Sequence, residues 1–378
     1  MPDRFSQDEY VVLARREGDL FFHQQGVLAA AMKARKEGKK ALFVHPDQTE
    51  EAAIVNDIAV YGLLGQTELN AFLAGEVELD PVKRDTREIF FAEQEVPPTN
   101  MADIIEDENI KHALEIAIIG HHHTLLYGDI RSGKTRLVEH LPGILPRMKL
   151  QEALQITLRY SETGELPLRT GLMAHPPLRK IAPFHDLEEV NQHLYLAHHG
   201  ILMVQDIMEC SVEIQQVILQ VLRNRSLNWG GKVVSCQPMI VFTTTEPSLP
   251  ESFYPFVDLY LEVEIIAAED HLRFEDLEHS LEIRDRVEQA VAQQDERFED
   301  TEGIKSNGQI PSDRASNWSQ LDKQAKMLLT ISMKSLGVSP SWMGQILRVA
   351  RSIADRVEAS QPLPYHVAEA VQYIKAAN

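Results

Sequence analysis

Eight consecutive residues, Gly128-Asp129-Ile130-Arg131-Ser132-Gly133-Lys134-Thr135, fit the spacing G-x-x-x-x-G-K-[ST] of a loop that wraps a nucleotide's phosphates. The residue types follow from that task. Glycines let the backbone turn its N–H groups onto phosphate oxygens at the positive end of a helix. Lys134 would reach the β- and γ-phosphates, and the Thr135 hydroxyl would ligate Mg²⁺. Gly128, Arg131, Ser132, Gly133, Lys134 and Thr135 are therefore the expected nucleotide-binding residues, with ATP or ADP and Mg²⁺ as cofactors. The flanking pattern agrees with a P-loop. His123 to Tyr127 reads as a short buried strand, and Thr135 to Leu141 reads as a helix stopped by Pro142-Gly143.

A second carboxylate-bearing position belongs to the same chemistry. Ile201-Leu202-Met203-Val204 reads as a buried strand and is followed by Gln205-Asp206. In P-loop ATPases such a strand ends in a carboxylate near Mg²⁺, and a second acidic residue often positions the attacking water. Here the first place holds the neutral Gln205, which leaves Asp206 as the sole candidate for catalysis and, with Thr135, for the metal. The plainer expectation is that Asp206 caps the segment after it.

The elements that must position these residues come from an ordinary globular composition. The chain has 378 residues, 44% hydrophobic and 25% charged, which is room for two or three domains. No apolar run reaches the ~18–20 residues that span a bilayer, and no signal-peptide pattern opens the chain; a cytoplasmic protein without a membrane partner is expected. Cys210 and Cys236 match no metal spacing and are expected as buried free thiols. A formal net charge of −20 disfavours broad nucleic-acid binding, which depends on many Lys and Arg contacts to phosphate.

Periodicity divides the chain into an α/β module over 1–80, a Pro-containing linker over 81–100, a P-loop core over 101–268 and a helical region over 269–378. The first module shows strands at Ala41–Val44 and Ile58–Tyr61 among three helices, with Ser6 as its only serine and no nucleophile–base constellation. His23 and His45 read as single structural histidines. In the core, Met239–Phe242 and Val257–Leu261 are further strands. Strands alternating with helices predict a parallel sheet with nucleotide at its C-terminal edge. The triplet His121-His122-His123 reads as a strand entrance, because alternating faces keep three successive residues from ligating one ion. Residues 295–317 are predicted as a loose acidic connection, followed by three helices in which Trp342, Ile346, Leu347, Val349, Ala350 and Ile353 are core.

With these motifs in place, the chain resembles the ComM/YifB family, the AAA+ group related to the magnesium-chelatase ChlI subunit. GVLAAAMKARKEGKKALFV and EEAAIVNDIAVYGL resemble that family's Lon-protease-like (ribosomal S5-type) N-terminal domain, lacking its first part. MADIIEDENIKHALEIAIIGHHHTLLYG, the P-loop and LPGILPRMKLQEALQIT resemble the AAA+ core; EIRDRVEQAVAQQDERF and QILRVARSIADR resemble the helical lid. The resemblance implies an α/β P-loop AAA+ core with a parallel sheet, a C-terminal helical lid and a truncated Lon-like N-terminal domain. It also implies an oligomeric ring, usually a hexamer, with ATP between neighbouring subunits. ComM-like relatives drive DNA branch migration, and chelatase relatives drive metal insertion into porphyrin.

The family's further catalytic groups are not matched. Its Asp-Glu pair falls on Gln205-Asp206, its sensor-1 asparagine on Glu246, its arginine finger on Phe256, its sensor-2 arginine on Ser341, and an early Gly-Gln pair on Glu106-Asp107. The multi-cysteine insertion and the glycine-rich pore segment have no counterpart, which further disfavours DNA as a partner. Loss of an arginine finger costs about 10³–10⁵ in rate, and a misplaced general base about 10²–10⁴. The expectation is thus a nucleotide-binding regulatory or assembly subunit, in a homo- or hetero-oligomeric ring, with hydrolysis weak or lost. The competing expectations are an active motor on DNA, with Arg223 or Arg225 acting in trans, and an interaction protein that binds no nucleotide.

Overall fold

The computed structural model describes residues 4–104, 108–265, 277–335 and 341–374, with the Ser341 side chain excepted. Two compact units divide it: residues 1–96 with 148–175, and residues 97–147 with 176–378.

The first unit is built on β1 (Tyr10–Leu13), followed by the hairpin β2 (Arg15–Glu17) and β3 (Leu20–Phe22), α1 (Val27–Lys36), β4 (Ala41–Val44), α2 (Thr49–Ala52), β5 (Ala59–Gly62), α3 (Gln66–Leu73) and α4 (Thr86–Gln94). β1, β4 and β5 form a parallel sheet with β4 central. Every residue of β4 is buried, and its alternation serves two cores. Leu42 and Val44 pack with Val27, Leu28 and Ala31. Ala41 and Phe43 pack with Phe21, Tyr61 and Phe72 on the other face. α1 starts at Gly26 without a cap of its own. The buried Glu51 carboxylate supplies one, accepting from the Leu28 N–H at 2.9 Å and the Ser161 hydroxyl at 2.6 Å.

The second unit continues with α5 (Glu108–Gly120), β6 (His123–Tyr127) and α6 (Lys134–His140). The chain then returns to the first unit for α7 (Leu150–Thr163) before β7 (Leu178–Ile181), α8 (Leu187–Leu196), β8 (Ile201–Gln205), α9 (Val212–Asn224), the hairpin β9 (Ser226–Trp229) and β10 (Lys232–Ser235), β11 (Met239–Thr244) and β12 (Val257–Glu262). The main sheet is parallel throughout, in the order β12-β6-β11-β8-β7. The helical part is α10 (Ser280–Phe298), α11 (Ala315–Ser319), α12 (Lys323–Ser335), α13 (Ser341–Arg356) and α14 (Pro364–Gln372). The predicted α/β class, parallel sheet and helical C-terminal part are all present. No helix among the described residues is long and apolar enough to cross a membrane, and both cysteines are buried free thiols.

Several expectations need correction. Residues 81–100 are not only linker, because Asp85 accepts from the Arg87 and Glu88 N–H groups and starts α4. α4 is tied down by Gln94, whose amide donates to the Met148 carbonyl at 2.9 Å and the Ala174 carbonyl at 3.2 Å. Residues 148–175, predicted within the P-loop core, belong with residues 1–96. The hairpin β9–β10 was not anticipated, although Gly230 (φ 54°) and Gly231 (φ 76°) supply the left-handed pair that a two-residue turn demands.

The predicted loose connection over 295–317 is also ordered. Asn307 is fully buried, and its amide donates to Ser352 Oγ at 3.0 Å and Asp355 Oδ2 at 2.8 Å. Asp355 in turn takes Arg297 at 2.6 Å and Arg351 at 2.8 Å. Its polar composition made the stretch read as solvated. Arg297 and Asn307 of this stretch are instead spent on one buried network, the arrangement that buried charge requires. The network reaches the sheet through His122, which bonds Ser352 Oγ at 2.8 Å and Asp258 Oδ2 at 2.7 Å. Asp258 sits where the β12 register shifts, and it also pairs with Arg348 at 2.5 Å. Ser352, His122 and Asp258 follow the order of a hydrolase relay, but at 0%, 0% and 2% exposure no substrate reaches them.

Candidate functional site

The loop at residues 128–133 leaves β6 where three strands end together: Tyr127 pairs with Thr244 of β11 and with Glu262 of β12. Gly128 has φ 140°, and a Cβ there would lie 2.3 Å from the Val263 carbonyl oxygen, so no other residue fits. Asp129 shapes the turn, its carboxylate accepting from the Arg131 N–H at 2.8 Å and its carbonyl from the Ser132 N–H at 3.1 Å. Gly133 then takes a left-handed φ of 85° immediately before α6.

The Lys134 side chain is buried and folds back along the loop, donating to the Gly128 carbonyl at 2.7 Å, the Asp129 carbonyl at 2.6 Å and Ser132 Oγ at 3.3 Å. Burial holds its pKa below the usual lysine range, and the charges of Asp129 and Asp206 offset part of that. The three acceptors are ones that phosphate oxygens replace in kind. Thr135 and Arg131 are exposed on the solvent side of the same loop. A backbone closed by glycines around one buried ammonium fits a nucleotide phosphate.

Asp206 lies beside this loop. Its strand ends at Gln205, which pairs with Thr243, and Asp206 itself adopts φ 42° while donating its N–H to the Thr243 carbonyl at 2.9 Å. A left-handed aspartate at a strand end is a strained position of the sort that gathers at functional sites. Asp206 does occupy the N-cap of the turn at Ile207–Glu209, its backbone carbonyl accepting from the Glu209 N–H at 2.8 Å, but its side chain makes no capping bond. Its charge instead acts on Lys134, and also on Cys210, whose thiol is pushed up by burial first and by Asp206 and Glu209 after it. Glu246 follows β11 with its carbonyl held by Thr244 Oγ1 at 2.6 Å and the Ser248 N–H at 2.7 Å, leaving the residue exposed.

The remaining predicted positions lie elsewhere. Phe256, Arg223 and Arg225 line a cavity of about 370 Å³ at the opposite, N-terminal edge of the sheet, with His121, His123 and Arg348. Burial lowers the pKa of His121 to about 4 and of His123 to about 3, so both rings are neutral at pH 7. His122, between them in sequence, points into the buried network, so the triplet diverges. Arg225 does not act as a free finger: its guanidinium donates to the Gly303 carbonyl at 2.6 Å and the Gln309 carbonyl at 3.1 Å. Arg225→Ala is therefore expected to lower stability by about 1–3 kcal/mol through these two lost charge-assisted bonds, read from denaturant midpoints, with basal nucleotide affinity unchanged. Glu106 and Asp107 and the Ser341 side chain lie outside the described residues.

Sequence reasoning missed the polar stripe of α13. Gln345, Arg348, Arg351, Ser352 and Asp355 recur mainly at spacings of three and four along a helix otherwise buried by apolar residues, and all five are under 5% exposed. That spacing was the available signal.

Comparison with known proteins agrees with the motif reading. Residues 100–229 match the family model described as magnesium chelatase, subunit ChlI, and residues 277–374 match that of the subunit ChlI C-terminal part. The competence protein ComM of Haemophilus influenzae is 25% identical over 386 residues, covering 92% of this chain and 74% of ComM. YifB of Escherichia coli is 24% identical over 390 residues, with 92% and 73% covered. An uncharacterized protein of Mycobacterium tuberculosis is 28% identical over 226 residues, 57% of this chain, and the match spans only 44% of that relative.

Proposed function

The chain belongs to the ComM/YifB family of magnesium-chelatase ChlI-like proteins, and on that premise we propose a nucleotide-binding AAA+ protein in which hydrolysis is weak or lost. Residues 101–147 and 176–268 are its P-loop core, 269–378 its helical lid, and the N-terminal unit a Lon-like domain. It binds ATP or ADP with Mg²⁺ and acts in the cytoplasm as a regulatory or assembly subunit of an AAA+ ring.

One contrast carries the reading. The buried Lys134 ammonium sits in a glycine-shaped loop suited to phosphate, while the strand beside it ends in an amide, Gln205, before a single carboxylate, Asp206. Gly128, Arg131, Ser132, Gly133, Lys134 and Thr135 would hold the phosphates, and Thr135 with Asp206 the Mg²⁺ that shields their charge. Titration calorimetry is expected to show Mg-ADP or Mg-ATP binding, with turnover at least about 10²-fold below that of an intact general base. Motor-like ATPase rates abolished by Lys134→Ala would overturn the second half of the proposal.

A second reading, an active ATPase acting on DNA, is favoured by one observation: the Asp206 carboxylate is not spent on capping. Arg223 then replaces Arg225 as the arginine available in trans, since Arg225 is anchored to carbonyls. Stimulation of ATP turnover by single-stranded or branched DNA separates this reading from the first.

A further inference from the structure

Within the N-terminal unit, three donor side chains of two kinds converge where two strands end. His23 follows β3, and His45 and Asp47 follow β4 in the tight turn Pro46–Gln48. Asp47 Oδ2 lies 3.5 Å from His23 Nε2 and 3.7 Å from His45 Nδ1, and the three ligating atoms are all within 4.8 Å of one another. These spacings are long for hydrogen bonds, which run about 2.7–3.2 Å. They are close to what an ion imposes: zinc bonds of about 2.0–2.2 Å in a tetrahedron put ligand atoms roughly 3.3–3.6 Å apart.

The surroundings hold the three groups in a ligand-like state. The Asp47 backbone N–H donates to His45 Nδ1 at 3.3 Å, so this nitrogen is unprotonated, and an ion would displace that one long bond to reach its lone pair. Arg169 Nε donates to the other carboxylate oxygen, Oδ1, at 2.8 Å and leaves Oδ2 turned to the two rings. Ligating carboxylates are commonly oriented by such outer partners. The segments bearing His23 and His45 are fastened together by a reciprocal pair, Gln24 N–H to Gln48 Oε1 at 2.9 Å and Gln48 Nε2 to the Gln24 carbonyl at 2.7 Å. The two rings already meet edge to face at 4.2 Å.

We propose that His23, His45 and Asp47 form a site for one zinc ion, with water in the fourth position. Charge selects the metal. Arg169 cancels the Asp47 carboxylate, so a hard cation such as Mg²⁺ or Ca²⁺ gains little, whereas two imidazoles favour zinc. His23 is 44% exposed on its side chain, which gives the ion an entry path and the water its place. Among the described residues no other group of three such donors comes together. The site lies in the first unit and the P-loop in the second.

The test uses the whole chain stripped with chelator and titrated with Co²⁺ as a spectroscopic probe, then with Zn²⁺ in a calorimeter. One Co²⁺ per chain is expected, with the intense visible bands of four-coordinate cobalt, displaced by one Zn²⁺. His23→Ala, at an exposed position that leaves the fold intact, and Asp47→Asn are each expected to weaken zinc at least about 10–100-fold, with circular dichroism and Mg-ADP affinity unchanged. Absence of stoichiometric binding in the wild type, or binding that survives both substitutions, would overturn the proposal.

Discussion

Lys134→Ala is expected to weaken Mg-ADP binding by about 10- to 150-fold while leaving thermal stability almost unchanged. A hydrogen bond to a charged group contributes about 1.5–3 kcal/mol, and each 1.4 kcal/mol is tenfold in affinity. The stability half of this expectation comes from where the ammonium sits. Its three bonds go to the loop's own Gly128 and Asp129 carbonyls and Ser132 hydroxyl, while burial penalises its charge and lowers its pKa. Truncation loses those bonds and removes that penalty together, and Asp129 is exposed enough for water to take over. Calorimetric titration and a melting curve on the same preparation read the two halves separately. Unchanged affinity for Mg-ADP would remove the loop from the nucleotide reading.

Asp355→Ala is expected to destabilise the second unit by about 3–5 kcal/mol, the cost of leaving buried charges without a partner. Asp355 is fully buried and receives Arg297 at 2.9 and 2.6 Å, Arg351 at 3.0 Å and the Asn307 amide at 2.8 Å. The Arg351 side chain is almost fully buried and that of Arg297 only 20% exposed, so the alanine side chain offers them nothing in return. Set against the roughly 5–15 kcal/mol of a whole domain, that loss is large. Trp229, Trp318 and Trp342 all lie in the second unit, so tryptophan fluorescence in urea follows this unit alone. Asp355→Asn, which keeps an acceptor, is expected to lose less. A midpoint shift worth under about 1 kcal/mol would mean the network is solvated after all.

The same network gives stability a direction in pH. Burial pushes the Asp258 carboxyl up, but Arg348 and His122 outweigh it, and the net shift is below the ordinary value of 3.8. A lowered folded-state pKa contributes stability that is present above the unfolded value. That contribution persists above about pH 4 and is lost as pH falls through the folded value, a loss Asp258→Asn is expected to abolish in an acid titration.

What the sequence determined by itself was local. The phosphate loop, the strand before it, the helix after it and the buried strands at 201–204 and 239–242 each follow from stereochemistry and periodicity within about ten residues. Family resemblance placed Gln205, Glu246 and Phe256 against expected catalytic positions by the same short-range reading. Tertiary structure alone decided the rest. It assigned residues 148–175 to the first unit, ordered the stretch after Asp295, and left the Asp206 carboxylate outside the cap its backbone makes while anchoring Arg225. The physical reason is distance along the chain: His122 meets Ser352 across 230 residues and Arg348 meets Asp258 across 90. No periodicity spans such separations. A polar side chain's sequence neighbours say that it is polar; only its partners in space say whether it is solvated, buried or poised for chemistry.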